Sequence, residues 1–266
     1  MTIRLLTVDE HQRILAQLVT LGQSVEGFPP NAAGFEYTSL LACFHLHNLA
    51  CVRSLLALAK AFGNEWFPVT PGYAIARSLF ETEINAHYIA ADPATRSKRY
   101  LDFVHVVNKR EMEACAKHRK SSDPTWREAM ETTWQQEWAN RERTVNAQFA
   151  RVAPMFRQGS KKTKLCSSWA GKSIREMAVA VNHEEAYDVF YGYLSSFAHS
   201  NIRLADRFLR ATSDGPIWSM RAEEGHVGRV FQHAAIFFTC FLELIASEFG
   251  AWAREEPSRC WSIVGV

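Results

Sequence analysis

Between Glu223 and Arg254 the sequence places Val230, Phe231, Ile236, Phe237, Phe238, Phe241, Leu242, Leu244 and Ile245 at three- and four-residue spacings. That spacing is helical. The apolar positions cover most of the circumference, so this helix must be enclosed by others. A chain that carries such an element has to build a shell around it. The rest of the sequence supplies long runs with the same spacing and almost no period-two alternation, so the fold class is all-α, a bundle of about eight helices. With 266 residues, 47% of them hydrophobic, one large domain has ample core, and the reading is a single helical domain over residues 1–266.

The helix boundaries follow from caps and breakers. Thr7 with Glu10 forms a capping box that opens a helix to Leu21, and residues 27–34 (GFPPNAAG) are a loop. A largely apolar helix runs from Phe35 to Phe62; its His45 and His47, two apart, point to different faces and share no metal. Residues 63–72, with two prolines and two glycines, break the chain before a helix over Tyr73–Ala91. Asp92-Pro93 starts a helix to about Lys120, and Asp123-Pro124 starts another to about Phe156. Together these predict a projecting basic hairpin, an insertion over 94–165, closed by a polar basic linker at 157–168. Ser173 with Glu176 caps a short helix. After residue 201 the helix continues or restarts through IRLADRFLR, and a loop follows at TSDGPIWSM.

Two of these helices carry polar rows. From Glu184 to Asn201, Tyr187, Tyr191, Ser195 and His199 recur every fourth residue among Val189, Phe190, Leu194 and Phe197. Fourfold spacing keeps side chains on one slowly drifting ridge. In the helix over 73–91, Tyr73, Arg77, Glu81 and Asn85 recur in the same way. Polar groups taken out of water need partners, and a buried Arg in particular needs a carboxylate. The two rows are therefore expected to face one another, with Arg77 and Glu81 near Ser195 and His199.

Formal charge is +2 overall but uneven: residues 95–175 hold 18 Lys/Arg against 8 Asp/Glu. Such a surplus suits RNA or another phosphate-bearing ligand, or the pairing of two halves of one protein. Its default reading is a solvated charged face. The six cysteines are scattered, without knuckle spacing, which suggests reduced thiols and a cytoplasmic protein. The N-terminus shows no apolar core of signal-peptide length. The longest apolar stretch, 234–246, contains Glu243 and is too short to span a bilayer, so no membrane partner is expected. Glu83 and His87 lie one turn apart as a single pair, short of the two Glu-x-x-His pairs of a di-iron bundle. No metal ligand set and no cofactor motif is read.

Three stretches together resemble a known family. Residues 76–103, containing Arg-x-x-x-Glu at Arg77 and Glu81, the Trp-x-Gly-Lys element at Trp169, Gly171 and Lys172, and the Tyr187–His199 ladder look like the bacterial family known as domain of unknown function 5677. That resemblance implies a site at these residues and no particular chemistry. More distantly, the helix ending Ser-x-x-x-His is similar to HEPN helical domains of bacterial toxin and phage-defence systems. It implies a homodimeric, metal-independent ribonuclease whose motif, Arg-x(4–6)-His, leaves four to six residues between the Arg and the His. None of the six residues before His199 is Arg; Arg203 or Arg77 would have to supply the cation.

Two functions follow. In one, the chain is a non-enzymatic helical module that binds a partner or small ligand in a bacterial stress or phage-defence setting, with the Arg/Glu and Tyr/Ser/His rows as a buried network. In the other it is a ribonuclease. His199 would then be general acid or base, Arg77 or Arg203 would stabilise the phosphate, and Tyr187 and Tyr191 would stack on bases.

Overall fold

The computed structural model describes residues 6–25, 28, 33–158, 164–198, 209–212 and 215–249. It is all-α apart from two short ribbons. Its residues fall into two compact units: 1–93 with 174–266, and 94–173.

The first unit contains α1 (Val8–Gln23), α2 (Phe35–Phe62), α3 (Val69–Ala90), α7 (Ile174–Ala180), α8 (Glu184–Ala186), α9 (Gly192–Ala198) and α10 (Glu224–Phe249). The second contains most of α4 (Pro93–His118), then α5 (Pro124–Thr133) and α6 (Glu142–Val152). The Thr7 capping box is closed: Thr7 N–H donates to Glu10 Oε2 at 2.8 Å, and Glu10 N–H donates to Thr7 Oγ1 at 3.3 Å. Asp123 likewise accepts from the Thr125 and Trp126 amides at 2.9 and 3.2 Å, with Pro124 at the first helical position.

Helix α10 is the core of the first unit, packed by α1, α2 and α3. Phe231, Phe238 and Phe241 are fully buried, with Leu15 and Leu18 of α1, Leu41 and Leu55 of α2 and Phe80 of α3. His45 is buried against this layer: its Nε2 meets the Gly22 carbonyl at 2.9 Å, and its ring stacks on Phe241 at 6.2 Å. His47 points outward to Ser78 Oγ at 2.9 Å.

Several boundaries differ from the sequence expectation. Helix α3 begins at Val69 and not at Tyr73. Pro71 is tolerated there because amides in the first turn have no intrahelical acceptor to lose. The expected long helix over 124–156 is broken at a π-helical turn, Trp134–Trp138, where Ala139 N–H reaches Trp134 O at 2.9 Å, and ends in a 3₁₀ turn, Ala153–Phe156. The expected linker at 157–168 is held in place at both ends: Arg157–Gln158 pairs antiparallel with Lys164–Leu165, and Cys166 N–H donates to Phe156 O at 2.8 Å. Leu209–Thr212 and Gly215–Trp218 form an antiparallel hairpin where a helix end and a loop were expected. Thr, Ile and Trp favour extended backbone, and Gly215 at φ 115° turns the chain as other residues rarely do.

The apolar run at 234–246 is only the middle of the 26-residue α10. By length and composition α10 and α2 are both long and apolar enough to cross a membrane; 67% and 44% of their most apolar windows are buried within the bundle. For α10 that majority burial is what a core helix requires.

Close packing fixes where α3 starts. A Cβ on Gly72 would lie 2.8 Å from the buried Phe67 ring and 3.0 Å from Val230 Cγ1. Overpacking of this kind costs about 1–3 kcal/mol, against a gain of about 0.5–1 kcal/mol for replacing a helical Gly by Ala. Gly72→Ala is therefore expected to lower stability in urea unfolding. A stabilised variant would contradict the packing of Phe67 on this turn.

Candidate functional site

Residues 184–198 lie antiparallel to α3. His183 meets Glu83, the rings of Tyr187 and Tyr191 lie on Phe80 at 6.5 and 5.8 Å, and Phe197 stacks on Tyr73 at 4.4 Å. Early residues of one segment thus meet late residues of the other. From Tyr73 to His87 the contact covers about 21 Å at 1.5 Å per residue. Polar clusters sit at three points along it.

The middle cluster is a closed triangle. Arg77 Nε donates to Glu81 Oε1 at 2.8 Å, Arg77 Nη2 donates to the Tyr191 hydroxyl at 3.0 Å, and that hydroxyl donates to Glu81 Oε1 at 3.0 Å. The guanidinium also lies 5.1 Å from the Tyr191 ring centre. Tyr187 stacks on Tyr191 at 4.7 Å with planes 19° apart. This stacking comes from a π-helical turn over Tyr187–Tyr191, whose wider i→i+5 bonding offsets the drift of a fourfold ladder. The triangle sits at the edge of the core, with 19% of the Arg77 and 33% of the Glu81 side chain exposed. Burial, then Glu81, raises the Tyr191 phenol above its ordinary value. For Arg77 burial acts downward, but Glu81 and Tyr191 outweigh it and leave the guanidinium raised. At neutral pH the guanidinium is thus a permanent cation and the phenol is un-ionised.

A second cluster lies toward the start of α3. The Tyr73 hydroxyl is 3.0 Å from His226 Nδ1 and 3.1 Å from the Tyr193 hydroxyl, which is itself 3.0 Å from His226 Nδ1. Arg229 Nη1 donates to Tyr193 at 3.1 Å. The third cluster, at the other end, comprises Glu83, His87 and His183. Its short contact is His183 Nδ1 to Glu83 Oε1 at 2.7 Å. Burial lowers His87, while the contact with Glu83 raises His183.

Of the residues singled out from sequence, the fold joins Arg77, Glu81, Tyr187 and Tyr191. Ser195 is half-buried one turn further on and forms no hydrogen bond with Arg77 or Glu81, so the expected meeting at Ser195 is displaced to Tyr191. His199 and Arg203 lie outside the described residues. Asn85 turns back to donate to the Glu81 carbonyl at 2.6 Å. Trp169 and Lys172 belong to the other unit. There Trp169 is 7% exposed, packed on Tyr100 at 5.1 Å, and its carbonyl accepts from Arg99 Nε at 2.7 Å. The Lys172 side chain is exposed.

His183 was missed in the sequence. It is the next rung of the same ladder, four residues before Tyr187, and that signal was available. What places it is the end of α7. Asn182 adopts φ 62°, and His183 N–H reaches back to Ala178 O at 2.8 Å, a Schellman closure that Asn tolerates better than most residues.

The buried His233 supplies a test of this interface. It is 6% exposed, edge-on to Phe190 at 4.7 Å, and burial followed by Arg229 pushes it down to about 4. The folded value lies below the ~6.5 of an unfolded chain, so protonation favours unfolding. The stability that neutral His233 contributes is full above pH ~6.5 and is lost as pH falls toward 4. At ~1.4 kcal/mol per unit, the loss by pH 4 is on the order of 3 kcal/mol. His233→Gln should flatten the stability–pH curve across that window in denaturant titrations. A curve parallel to wild type would contradict the assignment.

Comparison with known proteins gives one match. A model described as a family of unknown function, DUF5677, matches residues 38–216. Neither the curated proteins nor the solved structures include a match. The matched span takes in most of α2, all of α3 and every residue of the three clusters except His226 and Arg229, and exceeds half of the chain. On that match, the chain belongs to the DUF5677 family.

Proposed function

We propose that this chain is a non-enzymatic helical binding module, and that the edge formed by Arg77, Glu81 and Tyr191 receives an anionic group of its ligand or partner. The observation that carries this reading is the closed triangle itself. Its cation and phenol are both held away from neutral titration, whereas general acid–base work favours a group that titrates near the working pH. A partly exposed guanidinium already paired to one carboxylate suits exchange: an incoming carboxylate or phosphate can replace Glu81 on Arg77. The stacked Tyr187 and Tyr191 rings beside it offer a planar apolar face.

The competing reading, a HEPN-like ribonuclease in a phage-defence setting, rests on His199. It would also require Arg77 to leave Glu81 for a phosphate, or Arg203 to serve instead. The basic surplus of residues 95–175 favours it: Arg119, Arg151, Lys109 and Arg141 pair with Glu131, Asp102, Glu113 and Glu137, but 18 Lys/Arg against 8 Asp/Glu leave an excess of ten cations that such pairing does not remove.

Two assays on the purified protein separate these readings. Labelled RNA incubated without added metal is expected to stay intact with wild type and with His199→Ala alike. Inorganic phosphate is expected to raise the melting temperature of wild type, to raise that of Glu81→Gln further, and to lose this effect in Arg77→Met. RNA cleavage that His199→Ala abolishes, or a phosphate response that Arg77→Met leaves unchanged, would overturn the proposal.

A further inference from the structure

The cluster at the far end of α3 is built unlike the other two. Glu83 is 2% exposed and one turn before His87 on the same helix, and His183 comes from the α7–α8 junction. His183 Nδ1 lies 2.7 Å and His87 Nε2 lies 3.4 Å from the same oxygen, Glu83 Oε1. Neither approach is an aligned hydrogen bond: Glu83 Oε1 and His87 Nε2 are both buried without a hydrogen-bond partner. Two of the three converging donor atoms are therefore buried without a hydrogen bond, and the third, His183 Nδ1, stands 2.7 Å from the first. Leaving such groups unsatisfied costs about 1–3 kcal/mol each, and buried polar atoms in folded proteins nearly always have a partner.

A cation bound by all three would remove that cost. We propose that Glu83, His87 and His183 form a binding site for a divalent transition-metal ion, with zinc the best match. Two imidazoles and a carboxylate are a borderline N/O donor set, which suits zinc and not magnesium or calcium. The geometry agrees. A tetrahedral zinc site with bonds of ~2.0–2.1 Å has ligand–ligand edges of ~3.3 Å. The observed 3.4 Å edge has that length, the 2.7 Å edge would open by about 0.6 Å, and the His87–His183 edge, within 4.8 Å, would adjust to it on binding.

Three protein ligands leave the fourth position for water or a ligand atom. This inference uses residues separate from the Arg77 triangle and stands whether or not that edge binds an anion.

The test is zinc titration of the full chain after treatment with chelator. The expected result is one zinc per chain at micromolar affinity or tighter, with a rise in melting temperature. His183→Ala should weaken binding roughly 100-fold or more, by analogy with the smaller losses seen when mere ligand supports are removed. The His183 side chain caps no helix amide, so this variant is expected to fold. Glu83→Gln should behave alike, while His226→Ala, outside the cluster, should bind as wild type. Cobalt(II) loading gives a second readout: tetrahedral absorption bands in wild type, absent in His183→Ala. Failure to bind stoichiometric zinc, or binding that His183→Ala and Glu83→Gln leave unchanged, would overturn the proposal.

Discussion

A guanidinium drawn partly out of water must keep a carboxylate beside it, and in this chain that requirement fixes how two helices meet. Arg77 holds Glu81 along α3 and reaches across to Tyr191, whose hydroxyl returns to the same carboxylate. The arrangement is directional. Sliding residues 184–198 by one rung would leave the phenol without its acceptor and the Glu81 oxygen with one donor. Apolar contacts around Phe80 tolerate such a slide far better than hydrogen bonds do, so the triangle sets the register while the aromatic layer supplies most of the favourable burial.

Once that register is set, the remaining clusters follow from helix geometry. Antiparallel packing brings the start of α3 to Tyr193 and its end to His183. Helix α10 backs the interface throughout: Phe237 touches both Phe80 and Phe190, at 5.0 and 5.6 Å, and His226 closes the Tyr73 end. The π-helical turn at Tyr187–Tyr191 lets two tyrosines stack over one another and aim one hydroxyl at α3. Turns of this kind recur at functional sites, where they re-aim side chains at the expense of regular hydrogen bonding.

Much of the frame was legible in the sequence. The all-round apolar pattern identified α10 as the core helix, and Thr7, Asp123 and Pro124 marked helix starts through chemistry that needs no tertiary context. The Arg77–Glu81 row and the tyrosine ladder were recognisable as unlike their surroundings. Which rungs would meet was not legible. That depends on the crossing of two helices, and the crossing put Tyr191, not Ser195, opposite Arg77. The start of α3 was misplaced because a proline in a first turn loses no hydrogen bond. The hairpin at 209–218 was misread because a short strand pair has no long-range periodicity. His183 stands on the next rung of the ladder, four residues before Tyr187, but its meeting with Glu83 depends on Asn182 at positive φ, which that spacing does not reveal. The Trp169 element was legible as a motif, but its burial was not.

The claim on which this account depends is that Arg77 and Tyr191 are energetically coupled across the helix interface. A double-mutant cycle with Arg77→Met, Tyr191→Phe and the combined variant, read from urea unfolding free energies, measures that coupling directly. The account predicts an interaction of about 1 kcal/mol or more, in the range found for residues sharing one hydrogen-bond network. Additivity within about 0.3 kcal/mol, the behaviour of independent sites, would contradict it.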